Sequence, residues 1–205
     1  MNKIKMNNKI ASTSIIYPNV QLGKNVVIED FCLIGIPVSR TSDEITIIKD
    51  NAHIRAGTYI YAGNKIGKNF QTGNKVNIRE LNTIGDDVSI GTLSDIEHHA
   101  LIGNGVRIHS QAFIPEYTIL DDHCWIGPNV VITNAKYPLS PNAKDDLKAV
   151  HVFNAAKIGA NSTLLPGVKV GINSLIGAGS VVTNDIEDNV IAFGNPARVF
   201  RQSDY

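Results

Sequence analysis

Aliphatic residues return at every sixth position along most of this chain. From Ile48 the steps fall on Ile54, Ile60, Ile66, Thr72, Ile78, Ile84, Ile90, Ile96, Ile102, Ile108, Ile114, Leu120, Ile126 and Ile132, and only Thr72 departs. A shorter run precedes them (Ile10, Ile16, Leu22, Ile28, Ile34) and another follows (Val152, Ile158, Leu164, Val170, Ile176, Val182). Four residues after each aliphatic comes a mostly small side chain, among them Cys32, Ala52, Ser94, Ala100, Ala112, Cys124, Ser162 and Ser180. A period of six fits neither the 3.6-residue turn of a helix nor the alternation of a hairpin meander. It predicts a solenoid of short strands with a turn in every hexad, the large and the small column sharing a narrow interior. On that reading both cysteines are small buried hydrophobes rather than reactive thiols.

Two intervals break the count. Ile34 to Ile48 spans 14 residues and Ile132 to Val152 spans 20, neither a multiple of six. Residues about 35–47 and about 133–151 are therefore expected to leave the solenoid as loops, the segments that most often carry function on a rigid scaffold. After Val182 the period is lost, and residues about 183–205 are expected to cap the open end. The whole chain, 1–205, reads as a single all-β domain.

Composition narrows the function. With 205 residues and 43% hydrophobic content the chain can bury a core of its own. Lysine plus arginine equals aspartate plus glutamate at 19 each, and aromatics make up 6%. Neither a global field nor a stacking platform for nucleic acid is expected. The N-terminus "MNKIKMNNKI" lacks the apolar run of a signal peptide, and no later stretch approaches a membrane span. A cytoplasmic protein with no membrane partner and no disulfide framework is the expectation.

The hexads, with glycine often following the aliphatic as in "IGKN", "IGDD", "IGNG", "IGPN" and "IGAG", resemble those of the hexapeptide-repeat acyltransferases. The resemblance covers nearly the whole chain and implies a left-handed parallel β-helix. That hand is the family's, since the usual crossover rule predicts the opposite. In such a fold three hexads close one triangular coil, so residues eighteen apart stack. About nine coils are expected, a prism roughly 40 Å tall at the usual spacing between strands.

Stacking by eighteen aligns Glu80, His98, Glu116 and Asn134 in one column, all in the third place of their hexads. His98 would then lie between two carboxylates. That is a general-base arrangement, because a carboxylate selects the imidazole tautomer and imidazole titrates near neutrality. The competing reading is a wet corner, where any polar residues must stack by virtue of the period. His99 stands one place along, His109 on a second corner, and His53 and His123 on the third.

The resemblance also implies an acetyl-CoA site. "IGANSTLLPGVKVGINSLIGAGSVVTNDI" and "GNPARVF" are similar to the C-terminal part of members that use this co-substrate, bound in the groove between two prisms of a homotrimer. Gly159, Ala160, Gly177 and Ala178 would allow close approach to backbone amides, with Lys157, Lys169, Arg198 and Arg201 as nearby cations. "IHSQAFIPEYTILDDHCWIGPNVVITNAKYP" is most similar to N-acetyltransferases of nucleotide-linked amino sugars. It implies that Glu80, His109, Ser110, Gln111, Asn134 and Tyr137 meet the substrate, with His98 and Glu116 catalytic. Ser110 and Gln111 stand where the family commonly has asparagine.

The expected chemistry is attack of a neutral amine on the thioester carbonyl, with His98 taking the proton and backbone N–H groups or Asn134 holding the oxyanion. Three alternatives stay open. A sugar hydroxyl needs the same base and co-substrate. A zinc-dependent carbonic anhydrase of the same fold needs two histidines five residues apart, a spacing absent from His53, His98, His99, His109, His123 and His151, so no metal is expected. A non-catalytic scaffold would need no coenzyme-type C-terminus.

Overall fold

The computed structural model describes residues 7–39, 41 and 43–204. Among them the chain forms 28 short strands in three sheets of 11, 9 and 8 strands, which we term A, B and C. Most strands are two residues long, and successive ones pass from A to B to C and back. Within a regular stretch, neighbours in each sheet are parallel and eighteen apart, as in Asn77↔Asp95 and Ile78↔Ile96, and across the two interruptions the step widens to 26, as in Val20↔Thr46, and to 32, as in Ile119↔His151. The chain is a left-handed parallel β-helix of about ten turns.

The two hexad columns face inward as their chemistry requires. Ile54, Ile60, Ile78, Ile96, Ile114, Ile126 and Ile132 are fully buried, and so are Ala52, Ala100, Val106 and Val130 from the small column. Each isoleucine so buried contributes about 1.5–3 kcal/mol. The exception, Thr72, is also buried, and its hydroxyl accepts the Arg55 N–H at 2.9 Å. Cys32 and Cys124 are buried and free. Burial pushes the Cys124 thiol up to about 12, which leaves it a packing residue.

Every coil turns three corners, and from Asn25 onward the regular turns place the fourth residue of the hexad in the left-handed region. Asn25, Asn51, Asn69, His99, Tyr117, Asn129 and Asn161 all have φ between 54° and 64°. We name the corners AB, BC and CA after the sheets they join. Asparagine and glycine tolerate this backbone best, whereas other residues lose about 1–2 kcal/mol in it. The recurrent asparagine at the fourth place is thus a third periodic signal of the same fold.

Both interruptions leave from the BC edge. The first lies between Leu33–Ile36 in sheet B and Thr46–Ile48 in sheet C. Residues 35 and 36 remain in the strand, with Gly35 as a bulge at φ 84° that lets Ile36 pair with Tyr61. In the second, Lys148 N–H bonds to Asn134 O at 2.8 Å, and Gly167 N–H bonds to Lys148 O at 3.0 Å. The chain therefore departs at Asn134 and resumes the corner at Lys148, with residues 135–147 as the excursion.

The C-terminal segment differs from the expected cap. The coil continues beyond residue 183 with a shorter step, so that Ile186 bridges Val170 and Val190–Gly194 adds a tenth parallel strand to sheet A. Only Ala197–Gln202 reverses, antiparallel to Val190–Gly194, and closes that edge. The period fails to register here because this coil is sixteen residues long instead of eighteen.

Candidate active site at the BC edge

The BC corners present Tyr61, then Arg79 and Glu80, then Glu97, His98 and His99, then Glu116 and Tyr117, in successive coils. The two excursions lie at either end of this series. Beneath it the interior is polar rather than aliphatic. Asn64 Nδ2 bonds to Tyr61 O (2.7 Å) and Arg79 O (2.8 Å), and Asn82 Nδ2 bonds to Arg79 O (2.8 Å). Asn82 Oδ1 accepts Ala100 N–H at 2.7 Å. These buried amides fix the corners from inside, because an unsatisfied polar group there would cost about 1–3 kcal/mol.

The expected column forms, but its side chains pair differently. Glu80 is 1% exposed and receives Arg79 Nε at 3.0 Å and a second guanidinium nitrogen at 3.4 Å. Glu116 Oε2 accepts Asn134 Nδ2 at 2.8 Å. His98 instead places Nδ1 2.9 Å from Nδ1 of His99. The carboxylates thus find a guanidinium and an amide, and the imidazole finds its sequence neighbour. Asn134 also directs Nδ2 to Glu116 O at 3.3 Å, so its amide is committed to the corner rather than to an oxyanion.

A cleft of about 380 Å³ opens beside His98, lined along the edge by Arg79, Glu97, Glu116 and Tyr117. Lys144, Asp145 and Leu147 of the second excursion wall its other side. Arg79 reaches Glu97 Oε2 at 3.7 Å and lies 5.0 Å over the Tyr61 ring. The two carboxylates on Arg79 behave oppositely. Burial works to raise the Glu80 pKa, but its own backbone N–H and Arg79 outweigh burial and hold it below the usual range. Burial pushes Glu97 up against the pull of Arg79, and Asp95, Glu116 and Glu80 add to that rise. Glu97 therefore keeps its proton to a higher pH than an ordinary glutamate.

Arg79 and Glu97 were not among the expected site residues, although the same rule finds them. They are eighteen apart in the second place of their hexads, just as Glu80 and His98 are in the third. Lys144, Asp145 and Leu147 lie off the period and carry no such signal.

The other expected residues fall elsewhere. Tyr137 is 68% exposed and lines a separate hollow on the excursion with Lys136 and Ser140. His109, Ser110 and Gln111 lie on the AB edge, with the His109 ring 4.7 Å from that of Trp125. Gly159, Ala160, Gly177 and Ala178 lie on that same AB edge, higher up. A side chain at Gly159 would come within 2.5 Å of Ala178 N, and one at Gly177 within 2.8 Å of Phe193 Cβ. Stacking of coils alone requires these two glycines.

Lys157 turns Nζ toward Ala155 O and Asn173 Oδ1 at the CA corner, away from Gly159. Arg198 is exposed and opposite Phe193, which sits on Gly177, so it does crown the AB edge. His53 faces outward from sheet A, bonded to Glu29 at 2.7 Å, rather than sharing the corner of His123. No group of three metal-ligating side chains is present among the described residues.

Comparison with known proteins follows the same lines. A family model described as the hexapeptide repeat of succinyl-transferase matches residues 25–62 and 156–184. The galactoside O-acetyltransferase of Lactococcus lactis is 44% identical over 96 residues, 42% of this chain and 46% of that protein. The bifunctional protein GlmU of Clostridioides difficile is 30% identical over 193 residues, 94% of this chain and 39% of that protein. The chain thus spans less than half the length of these relatives. Among solved structures, a UDP-N-acetylglucosamine acyltransferase, LpxA, from Bacteroides fragilis superposes with a TM-score of 0.61 at 20% identity, covering 93% of this chain and 73% of that one. The six-residue period and the three-sheet solenoid agree with the matched repeats, and by these likenesses the chain is similar to the hexapeptide-repeat acyltransferases.

Proposed function

We propose that this protein transfers an acetyl group from acetyl-CoA to the amine of a small sugar, most simply a nucleotide-linked amino sugar, with His98 as general base. The observation that carries the reading is the cleft of about 380 Å³ in which His98 faces Glu97, Glu116 and Asp145. Three carboxylates against the two cations Arg79 and Lys144 suit an acceptor that arrives as an ammonium ion. Once neutral, the amine nitrogen forms a bond to the thioester carbonyl carbon and the carbon–sulfur bond breaks, so that CoA departs as the thiolate. His98 takes the proton lost by nitrogen and passes it to the departing sulfur, which gives the thiol and restores the neutral ring, and positioning supplies much of the rate because a thioester is already reactive.

The co-substrate belongs on the AB edge in this reading. Among the described residues, neither Ala160 N–H nor Ala178 N–H has an acceptor. Alanine in the coil above offers none, whereas the CA edge has aspartate or asparagine at the same place. Those amides and the exposed Arg198 suit the pantetheine amides and a phosphate of CoA. Base and co-substrate then occupy different edges of one prism, so the active site needs two copies. Exposed apolar residues on sheet B and the AB edge, among them Phe31, Tyr59, Leu93 and Phe113, offer a surface for the neighbour in a homotrimer.

A hydroxyl acceptor is the second reading, and the likeness to a galactoside O-acetyltransferase favours it. Thiol release from acetyl-CoA with a panel of amino sugars and galactosides separates the two. His98→Ala is expected to lower kcat about 10²–10⁴-fold on the true acceptor. Full turnover in that variant removes His98 as the base. Release only with galactosides selects the hydroxyl reading.

A further inference from the structure

We propose that His99 is the positioning residue for His98, accepting its Nδ1–H and so holding it in the tautomer whose Nε2 lone pair faces the cleft. The inference rests on the reading of His98 as general base. The two Nδ1 atoms are 2.9 Å apart, so they share one proton and only one of them is the donor. If His98 is the donor, its Nε2 is bare and can take a proton from the acceptor. If His99 is the donor, His98 presents Nε2–H and cannot act as base.

The surroundings favour His98 as donor. Glu97, Glu116 and Asp145 line the cleft with His98, and Glu80 lies close enough for His98 to stabilise its ionised form. Arg79, Lys144 and Tyr117 complete the titratable and charged groups that face it. The four carboxylates and two cations lie on the cleft side of His98, whereas His99 does not line the cleft, so a proton arriving from the acceptor meets His98 first. When Nε2 takes the amine proton, the resulting imidazolium keeps its Nδ1–H bond to a neutral His99. That bond becomes charge-assisted and strengthens as charge develops.

The backbone supplies the second observation. His99 sits in the left-handed region at φ 59°, where asparagine or glycine is the unstrained choice. Leu81 and Tyr117, its neighbours one coil away on either side, share the conformation at φ 62° and 64°. The AB edge stacks Lys75, Leu93 and Gln111 in the same region, so this backbone is a property of the turn, and at the BC corner it serves to aim a ring. It turns the His99 ring under Tyr117, with centroids 5.4 Å apart and planes tilted by 30°. Side-by-side histidines therefore make a dyad in which the second ring does the work expected of a carboxylate.

Two substitutions separate this role from a purely structural one. His99→Asn fits the backbone and carries an oxygen near the position of Nδ1, whereas His99→Gly fits the backbone with no acceptor at all. On the acceptor found above, His99→Asn is expected to keep kcat within about threefold. His99→Gly is expected to lower kcat by about ten- to hundredfold with an unchanged KM for acetyl-CoA and a displaced acid limb of the pH profile. Nitrogen-15 NMR of the wild-type ring should report His98 protonated at Nδ1. An Nε2–H tautomer at His98 overturns the proposal, as does wild-type kcat and pH profile in His99→Gly when His98→Ala is inactive. A fully active His98→Ala defeats the base reading instead, and the NMR tautomer then decides this proposal alone.

Discussion

Along the CA edge most turn positions hold asparagine or aspartate, and these side chains answer the coil beside them. Asn25, Asn51, Asn69 and Asp87 form a ladder with links of 3.1, 3.0 and 2.8 Å. One place earlier, Asp50, Asp86, Asn104 and Asp122 accept the N–H of Lys24, Lys68, Asp86 and Asn104 at 2.6–2.9 Å. Along the BC edge the same two places hold Glu80 and Leu81, His98 and His99, Glu116 and Tyr117. Here the left-handed backbone carries bulky side chains, and charges meet charges from other places in the hexad. One edge uses the turn to close the coil upon its neighbour. The other gives up that economy and gains a cleft. The difference teaches that function in a repeat is read where residues depart from what the turn prefers.

The largest blow to this contrast is to treat a BC residue as though it were ladder. Arg79→Met leaves the buried Glu80 carboxylate without the guanidinium that bonds it twice. A loss of about 3–5 kcal/mol is expected in urea unfolding, because a buried charge deprived of its partner costs far more than an exposed one. The double variant Arg79→Met/Glu80→Gln should recover much of it. On the CA edge, Asn69→Ala removes two exposed links and puts a methyl at φ 56°, for an expected loss of about 1–2 kcal/mol. Asn69→Gly should lose less. Equal losses for Arg79→Met and Asn69→Ala would erase the distinction between the edges.

The two edges also differ in how legible they were. Isoleucine every sixth residue must face one interior, so the solenoid follows from the period alone. The third-place column at Glu80, His98 and Glu116 followed from stacking, and it is present. Its pairing was not legible, because a guanidinium one residue from Glu80 outcompetes an imidazole one coil away. The φ of His99, which sets its ring beside His98, has no trace in hydropathy. Nor does the sixteen-residue last coil, where Ile186 takes over from Val170 two residues early. The second excursion is off the period, so its length and exit point could be read but not the three residues it brings to the cleft.

A gain should be available on the CA edge. His123 occupies the place held by asparagine, aspartate or glycine in the coils at Asn69, Asp87 and Gly105, yet has φ 62°. His123→Asn is expected to add about 0.5–1 kcal/mol with no change in turnover, since the backbone would then suit its residue. The comparison sharpens if the same replacement on the BC edge, Tyr117→Asn, stabilises likewise but lowers activity. Thermal midpoints and thiol release on the same samples decide it.

The smallest expected effect concerns Glu97, and its sign distinguishes charge from packing. Burial among Asp95, Glu116 and Glu80 raises its pKa in the native state, whereas the unfolded chain has the ordinary value of about 4.3. Between these two values the native state binds more protons than the unfolded one, so stability falls as pH rises through that window. Above the native value the full penalty for an ionised Glu97 is present. Glu97→Gln removes that charge, and the variant should be more stable than the wild type near pH 7. The advantage should vanish as pH falls to about 3, well below the unfolded value, where the wild-type carboxyl is protonated in both states. Urea midpoints across that range provide the measurement. An advantage of the same size at both ends would mean that Gln merely packs better beside Arg79, and the BC edge would then owe less to its crowded carboxylates than the cleft chemistry requires.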